Sequence, residues 1–368
     1  MLERAKKVIE SGIAARLHLG AQLYVSRDGT AVADLAFGEA REGVAMQPDT
    51  LMLWMSSVKP VTAVAIAQQW ERGKLDLDDP VARHIPEFAS NGKDAVTIRH
   101  VLTHTGGFPG AVLPWSSGPW DSIIAELCAA PLARGWTPGE RMGYHVASGW
   151  YALAEIVRRT DGREYSRYVR EEIFEPLGMR DTWLGMPQDR HSEYAANRRI
   201  APMHFANGIS KPTPHSFLLW GDSAKALSVC RPGGSARGPI RELGKFYEAM
   251  LAGGGGIIRP QTVAAISARH VAGMRDTTFG YPLDRGLGVV IDSKQYCNAA
   301  TWFGTRCSRR AWGHGGYMSS VGFVDPEHKV VVALVFNGML ESQEGRHDAR
   351  MISTLDAVYA DLGIEARG

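Results

Sequence analysis

Cysteine is scarce in this chain, and what there is does not cluster. Cys128, Cys230, Cys297 and Cys307 are the whole supply over 368 residues. They have neither zinc spacing nor redox spacing, so reduced thiols in a cytoplasmic setting are expected. A charge excess is missing too: 41 Lys and Arg stand against 39 Asp and Glu, without a long basic run. That balance excludes the electrostatic footprint of a nucleic-acid or acidic-membrane partner. No apolar stretch approaches a membrane span. The opening residues Met1 to Glu10 are charged and amphipathic, so no secretory leader is expected. Internal repeats and low-complexity tracts are absent, and so is the Gly-x-Ser-x-Gly elbow. Gly233-Gly234-Ser235-Ala236-Arg237 comes nearest to that elbow and fails at its last position, which makes Ser235 a loop residue.

What is present is an ordinary globular composition, 45% apolar, enough for a sizeable core in one large or two moderate domains. Leu2, Ala5, Val8, Ile9, Ile13 and Leu17 keep a helical period. Strand-like runs at 21–26 and 31–37 flank Arg27-Asp28-Gly29 and predict a hairpin. Helices are expected at 122–129, 149–159, 166–174, 239–251 and 261–270. Weakly patterned loops, forming a flexible cover, are expected over 192–238. Strands are expected at 286–291, 310–313, 319–324 and 329–337, and a helix over 346–362 closes the chain. The fold class is therefore α/β of the α+β type: an antiparallel sheet flanked by helices, built from both chain ends (about 1–75 and 275–368), with a mostly helical lobe inserted at about 76–274. A cleft between two such lobes is a favoured ligand site.

The stretch from Leu51 to Trp70 is an apolar segment opening into a mostly apolar helix, with Ser56 at its mouth and Lys59 three residues on. Residues three apart share a helix face, so the amine reaches the hydroxyl. A lysine held out of water has a depressed pKa and suits activation of a serine nucleophile, and a helix N-terminus offers N–H groups for an oxyanion. The spacing alone is common. Ser90-Asn91-Gly92-Lys93 repeats it, but in a polar turn with no helix to aim the lysine. His100 and His104, four apart, invite a metal reading; without the Glu of a zinc-protease helix or a third ligand motif, both are expected to be structural.

A serine–lysine pair needs a group that passes the proton on and donors for the oxyanion. Tyr144, in Gly143-Tyr144-His145-Val146 just before a helix, offers a phenol that a Lys59 ammonium would lower from its pKa near 10. Trp312-Gly313-His314-Gly315-Gly316-Tyr317-Met318 runs off a predicted strand, and its glycines leave the edge bare for a substrate carbonyl. Trp54, Trp150 and Trp312 flank these motifs and are candidate walls of an apolar acyl pocket, with core packing the ordinary alternative.

Ser56-x-x-Lys59, the tyrosine loop and His314-Gly315-Gly316, in that order, resemble the serine β-lactamase and penicillin-binding-protein superfamily, and most nearly the class C-like carboxylesterases of family VIII. Leu102-Thr103-His104-Thr105-Gly106-Gly107-Phe108 and Glu175-Pro176-Leu177-Gly178-Met179 are also similar to stretches common there, so the likeness runs from about Ala21 to Gly338. It implies a β-lactamase-like fold and a cofactor-free, metal-free hydrolase. Ser56 would be the nucleophile, Lys59 its proton partner and Tyr144 the general base that turns acid. The backbone N–H groups of Ser56 and Tyr317 would form the oxyanion hole, with His314, Gly315, Gly316, Val146 and Trp312 about the substrate. Two positions depart from the β-lactamase pattern: Val146 replaces an asparagine that contacts the substrate amide, and His314, mostly neutral at pH 7, replaces the lysine of Lys-Thr-Gly. Both remove polar anchors for a lactam and favour a small or medium carboxylic ester. Acyl transfer to another alcohol, D-amino-acid peptidase action and weak β-lactamase action are rivals on the same site, and an acyl-trapping sensor is the rival without turnover.

Overall fold

The computed structural model describes residues 2–111, 118–205, 221–340 and 349–365. Its centre is set by Val330–Phe336, seven consecutive apolar residues, the pattern of a strand covered on both faces; all seven are buried. This is the last strand of a nine-stranded antiparallel sheet. Numbered along the chain the strands are β1 Gly20–Arg27, β2 Thr30–Arg41, β3 Val44–Ala45, β4 Val271–Arg275, β5 Pro282–Arg285, β6 Val290–Ile291, β7 Trp312–Gly316, β8 Ser320–Asp325 and β9 Val330–Phe336. They lie in the order β3-β2-β1-β9-β8-β7-β6-β5-β4. Leu23 of β1 opposes Leu334 of β9, so the two chain ends meet in mid-sheet. Asp28 and Gly29 both take positive φ (52° and 75°) in the tight β1–β2 turn, as a two-residue hairpin of right-twisting strands demands.

Alternation along β9 feeds two cores. Val330, Val332 and Leu334 pack with Ile9 of α1 (Glu3–Ala14) and with Leu355 and Val358 of a C-terminal helix, Ala349–Asp361. On the other face Val331, Ala333 and Val335 join Leu243, Phe246 and Tyr247 of the helix Ile240–Leu251 in a core that continues into the helical lobe. The heart of that lobe is α2, Lys59–Glu71, whose residues from Lys59 to Gln69 are all buried. A helix apolar all round belongs inside a protein. It packs on α3, Ser148–Asp161, through Trp150, Leu153 and Val157, and α3 ends where Gly162 adopts φ 93°, a left-handed stop that glycine takes without strain.

Several expected boundaries move. The helix expected to reach His270 stops at Ser267, and Val271–Arg275 pairs with Pro282–Arg285 as two sheet strands that periodicity did not reveal. Both are short and irregular: Gly273 has φ 62° and Pro282 opens its strand, the position where a strand tolerates proline. The expected strand 286–291 shrinks to Val290–Ile291, and the glycine-rich His314-Gly315-Gly316 lies within β7 rather than beyond its end. Helix Ile240–Leu251, expected in the inserted lobe, lies against the sheet. The region read as loops also holds helices Gln188–Ala196 and Ala224–Ser228 and a strand pair joining Met52–Leu53 to Arg237–Gly238. Residues 206–220 of the expected cover, with Pro212 and Pro214, and residues 346–348 of the closing helix lie outside the described residues.

Candidate active site

Ser56 sits between two structures that hold its turn from either side. Trp54 N donates to Ala236 O at 2.9 Å and Trp54 Nε1 to Gly238 O at 3.0 Å. The chain then passes through Met55, a buried residue at φ 49°. That left-handed conformation is disfavoured for a side-chain-bearing residue and persists only where neighbours enforce it. Met55–Val58 forms a 3-10 turn that runs directly into α2. Side chains three apart eclipse in a 3-10 turn, so Ser56 and Lys59 superimpose, and Pro60 at the start of α2 needs no N–H partner. Ser57 points the other way: its Oγ donates to His314 O at 3.1 Å and lies 2.9 Å from Ser320 Oγ, which donates to Trp54 O at 2.6 Å. The Met55–Val58 turn is thus bolted to β7 and β8.

The approach is close enough to require glycine at 316. A Cβ there would lie 2.5 Å from Trp54 O and 2.8 Å from Met55 Cβ. We predict that Gly316→Ala costs about 1–3 kcal/mol by overpacking, read as a fall in thermal midpoint, with activity lost beyond the loss of folded protein because the shift lands on Ser56. An unchanged midpoint would mean that the two segments separate freely.

Lys59 is 0% exposed. Its Nζ lies 3.0 Å from Ser56 Oγ, 3.0 Å from Val146 O and 2.6 Å from Gly233 O, against the rings of Trp150 and Tyr144 (5.2 and 5.3 Å to centroid). Burial, and then the Arg285 guanidinium, push its pKa well below that of an ordinary lysine. A neutral amine has two N–H groups and one lone pair. With the two carbonyls taking the N–H groups, the lone pair is left for the Ser56 hydroxyl proton. Lys93 shows the contrast: its Nζ donates to three carbonyls, those of Ser90, Cys128 and Ala130, which spends an ammonium completely and leaves nothing for a hydroxyl. Ser90 Oγ turns to Glu87 O and Cys128 O. The second Ser-x-x-Lys is a loop anchor.

Tyr144 is also buried, and Ser56 is among the groups that act on its phenol. Its N–H donates to Asp276 Oδ1 at 3.1 Å and its carbonyl accepts from Thr278 Oγ1 at 3.3 Å; the ring packs on His104 and Phe279, each at 4.9 Å. Burial raises the phenol pKa above its ordinary value, and this outweighs the neighbouring Ser56 hydroxyl and Arg285, which pull it down. The expectation that a Lys59 ammonium would lower it is overturned, because desolvation dominates.

The remaining expected residues divide. His314 is buried and its pKa is driven well down by desolvation, then by Lys59 and Arg285; Nδ1 lies 2.7 Å from Gly315 O. The ring is therefore neutral, with Nδ1 the donor. Val146 and Tyr317 are 53% and 52% exposed. Val146 also serves through its carbonyl on Lys59. Ser319 N closes on Gly316 O, a turn that leaves the N–H of Tyr317 outside its own bond, and the first bond of the Met55–Val58 turn, Ser57 N to Trp54 O, likewise leaves the N–H of Ser56 outside. Trp312 does not line the cleft: it is 4% exposed and packs edge-on to Tyr247 in the core. Trp54 is buried too. His100 Nδ1 accepts from Thr97 N as half of a capping box, and His104 Nδ1 accepts from His145 N at 3.0 Å, so each has a structural task. Ser235 Oγ is engaged by Arg231 N and Val229 O. Sequence reasoning missed Gly233, whose signal is a glycine where a Cβ would lie 3.0 Å from Lys59 Nζ and Trp150. It also missed the Asp276–Arg285 pair, which has no motif at all.

With this geometry described, known proteins supply a comparison. The family model for Beta-lactamase matches residues 5–355. Esterase EstB of Burkholderia gladioli is 29% identical, covering 97% of this chain and 95% of its own. A penicillin-binding-protein homologue from Caulobacter crescentus superposes with a TM-score of 0.80 at 30% identity, over 98% of this chain and 97% of that one. A family VIII carboxylesterase gives 0.77 at 22% identity over 98% and 97%, a likeness of fold. Among the described residues no helix is long and apolar enough to cross a membrane, and no cluster of His, Cys, Asp and Glu could hold a metal ion.

Proposed function

The chain belongs to the beta-lactamase family and is a serine hydrolase of that superfamily, and from that premise we propose that it cleaves small to medium carboxylic esters through an acyl-enzyme on Ser56. The observation that carries the reading is the Lys59 amine, dry, bound by two carbonyls and 3.0 Å from Ser56 Oγ. In the first step Ser56 Oγ attacks the ester carbonyl carbon while Lys59 takes the hydroxyl proton. The oxyanion faces the N–H groups of Ser56 and Tyr317. As the C–O bond to the leaving alcohol breaks, Tyr144 gives that oxygen its proton, and the proton that Lys59 took from Ser56 passes to the phenolate, so that both groups regain their starting states. Water then releases the acid and restores Ser56.

Two features support an ester over a charged lactam. His314 is buried and neutral, so it offers a carboxylate no charge-assisted hydrogen bond, a loss of about 1.5–3 kcal/mol or roughly 10- to 150-fold. Val146 and Tyr317 set exposed apolar surface beside the nucleophile and suit an uncharged acyl or alcohol group. Nitrocefin turnover is therefore expected at least about tenfold below that of a comparable activated ester, and equal turnover would remove His314 from the argument.

The test is pre-steady-state. A p-nitrophenyl acyl ester should release one equivalent of nitrophenolate per site in a burst, and mass spectrometry of the quenched protein should find the acyl mass on Ser56. A burst with no adduct at Ser56, or no ester cleavage at all, defeats the proposal. A permanent adduct identifies an acyl trap instead, and ester products formed with an added alcohol identify acyl transfer. A panel of rising acyl length then defines the substrate range.

A further inference from the structure

Arg285, the last residue of β5, is 1% exposed, and its Nη2 pairs with Asp276 Oδ2 at 3.2 Å. Asp276 is already the acceptor for the N–H groups of Tyr144, Thr278 and Phe279. Arg285 Nε and Nη1 have no hydrogen-bond partner among the described residues, so the guanidinium is a poorly compensated charge in a dry place. Its central carbon lies 5.5 Å from the centroid of the Tyr144 ring, and Lys59 Nζ lies 5.3 Å from that same centroid. The two nitrogen groups therefore share one aromatic neighbour. Guanidinium does not lose its proton in proteins, whereas an amine does. Of two cations confined around one ring, lysine is the one that yields.

We infer that Arg285 is a positioning residue for the reaction: a permanent cation beside Tyr144 that repels a second positive charge from the pocket and so reserves Lys59 as proton acceptor for Ser56. The other groups about the Lys59 amine are Ser56, Tyr144, His104 and His314. Both histidines, like His145 behind them, are held neutral by burial, so the fixed charges beside this set are Arg285 and its partner Asp276. Its repulsion follows burial among the causes that lower the Lys59 pKa. The inference rests on the Ser56–Lys59 reading above.

Because Lys59 works as the free amine, kcat/KM must rise with pH through its pKa, giving an acidic limb. Removing the Arg285 charge raises that pKa, so the limb moves to higher pH, by about one unit for two charges roughly 10 Å apart at an effective dielectric near 20. The experiment records the limb with p-nitrophenyl acetate in four proteins whose folding is checked by circular dichroism. Arg285→Gln combined with Asp276→Asn, which removes the pair without stranding a charge, should place the limb about one unit above that of Asp276→Asn alone, the comparison that isolates the Arg285 charge. Arg285→Lys, which keeps the charge, should leave it near the wild-type position. Asp276→Asn alone leaves Arg285 unneutralised and should move the limb down, a sign that loosened packing does not predict. A limb in the double variant no higher than in Asp276→Asn, an upward shift in Arg285→Lys, or an upward shift in Asp276→Asn each overturns the role of Arg285. Should the double variant fail to fold, the single substitutions decide. A wild-type protein without a burst refutes the Ser56 reading instead, so the two failures are distinct.

Discussion

Ser56→Ala is expected to lower kcat for a p-nitrophenyl ester by about 10^4- to 10^6-fold and to abolish both burst and adduct. The substitution removes the atom that forms the new bond and leaves the rest of the site standing. Lys59 keeps its two carbonyl partners, Val146 O and Gly233 O, and the turn keeps its ties through Ser57 and Trp54. Ser56 is partly exposed within a buried run, so losing its Oγ opens no core cavity, and the thermal midpoint should move by no more than surface substitutions do, about 0.5 kcal/mol. Intact stability with lost turnover separates a chemical role from a structural one. Residual cleavage above the water rate would measure what binding and the oxyanion N–H groups supply alone. Full activity in the folded variant would instead move the nucleophile elsewhere.

What could be read in advance follows a physical division. Identity and spacing are local properties, so the contact of Ser56 with Lys59 is legible in the sequence, as is β9 in its unbroken apolar run. The decoy at Ser90 was separable because Asn91-Gly92 breaks a helix, and Asn91 indeed has φ 58°. A backbone carbonyl carries no residue signature, however, and two of the three atoms around Lys59 Nζ are carbonyls contributed from 87 and 174 residues away. Burial is likewise non-local. The phenol of Tyr144 was misread because the desolvation that raises its pKa comes from His104, Phe279 and the sheet behind them, not from its own loop. Trp312 was misplaced for the same reason, since its partner Tyr247 lies in a helix assigned to the other lobe. Strand β4, at the sheet edge, and its neighbour β5 escaped because a bulge and a leading proline mask a period of two.

The proposed mechanism divides the labour differently from the sequence expectation. The Lys59 pKa is lowered and the Tyr144 pKa raised, so the proposal gives the base's part to the lysine and the acid's part to the tyrosine. Tyr144→Phe tests this, because phenylalanine keeps the ring contacts with His104 and Phe279 and removes only the hydroxyl. Turnover should fall by about 10^2- to 10^4-fold, with KM changed little, since the lost interaction belongs to proton transfer rather than to substrate binding. The size of the loss should depend on the leaving group. Nitrophenolate departs without a proton, whereas an alkoxide from an ethyl ester must be protonated as it leaves, so the alkyl ester should suffer well beyond the activated one. Equal losses on both would make Tyr144 the base for the attack itself, and an unchanged kcat on the alkyl ester would take Tyr144 out of the reaction.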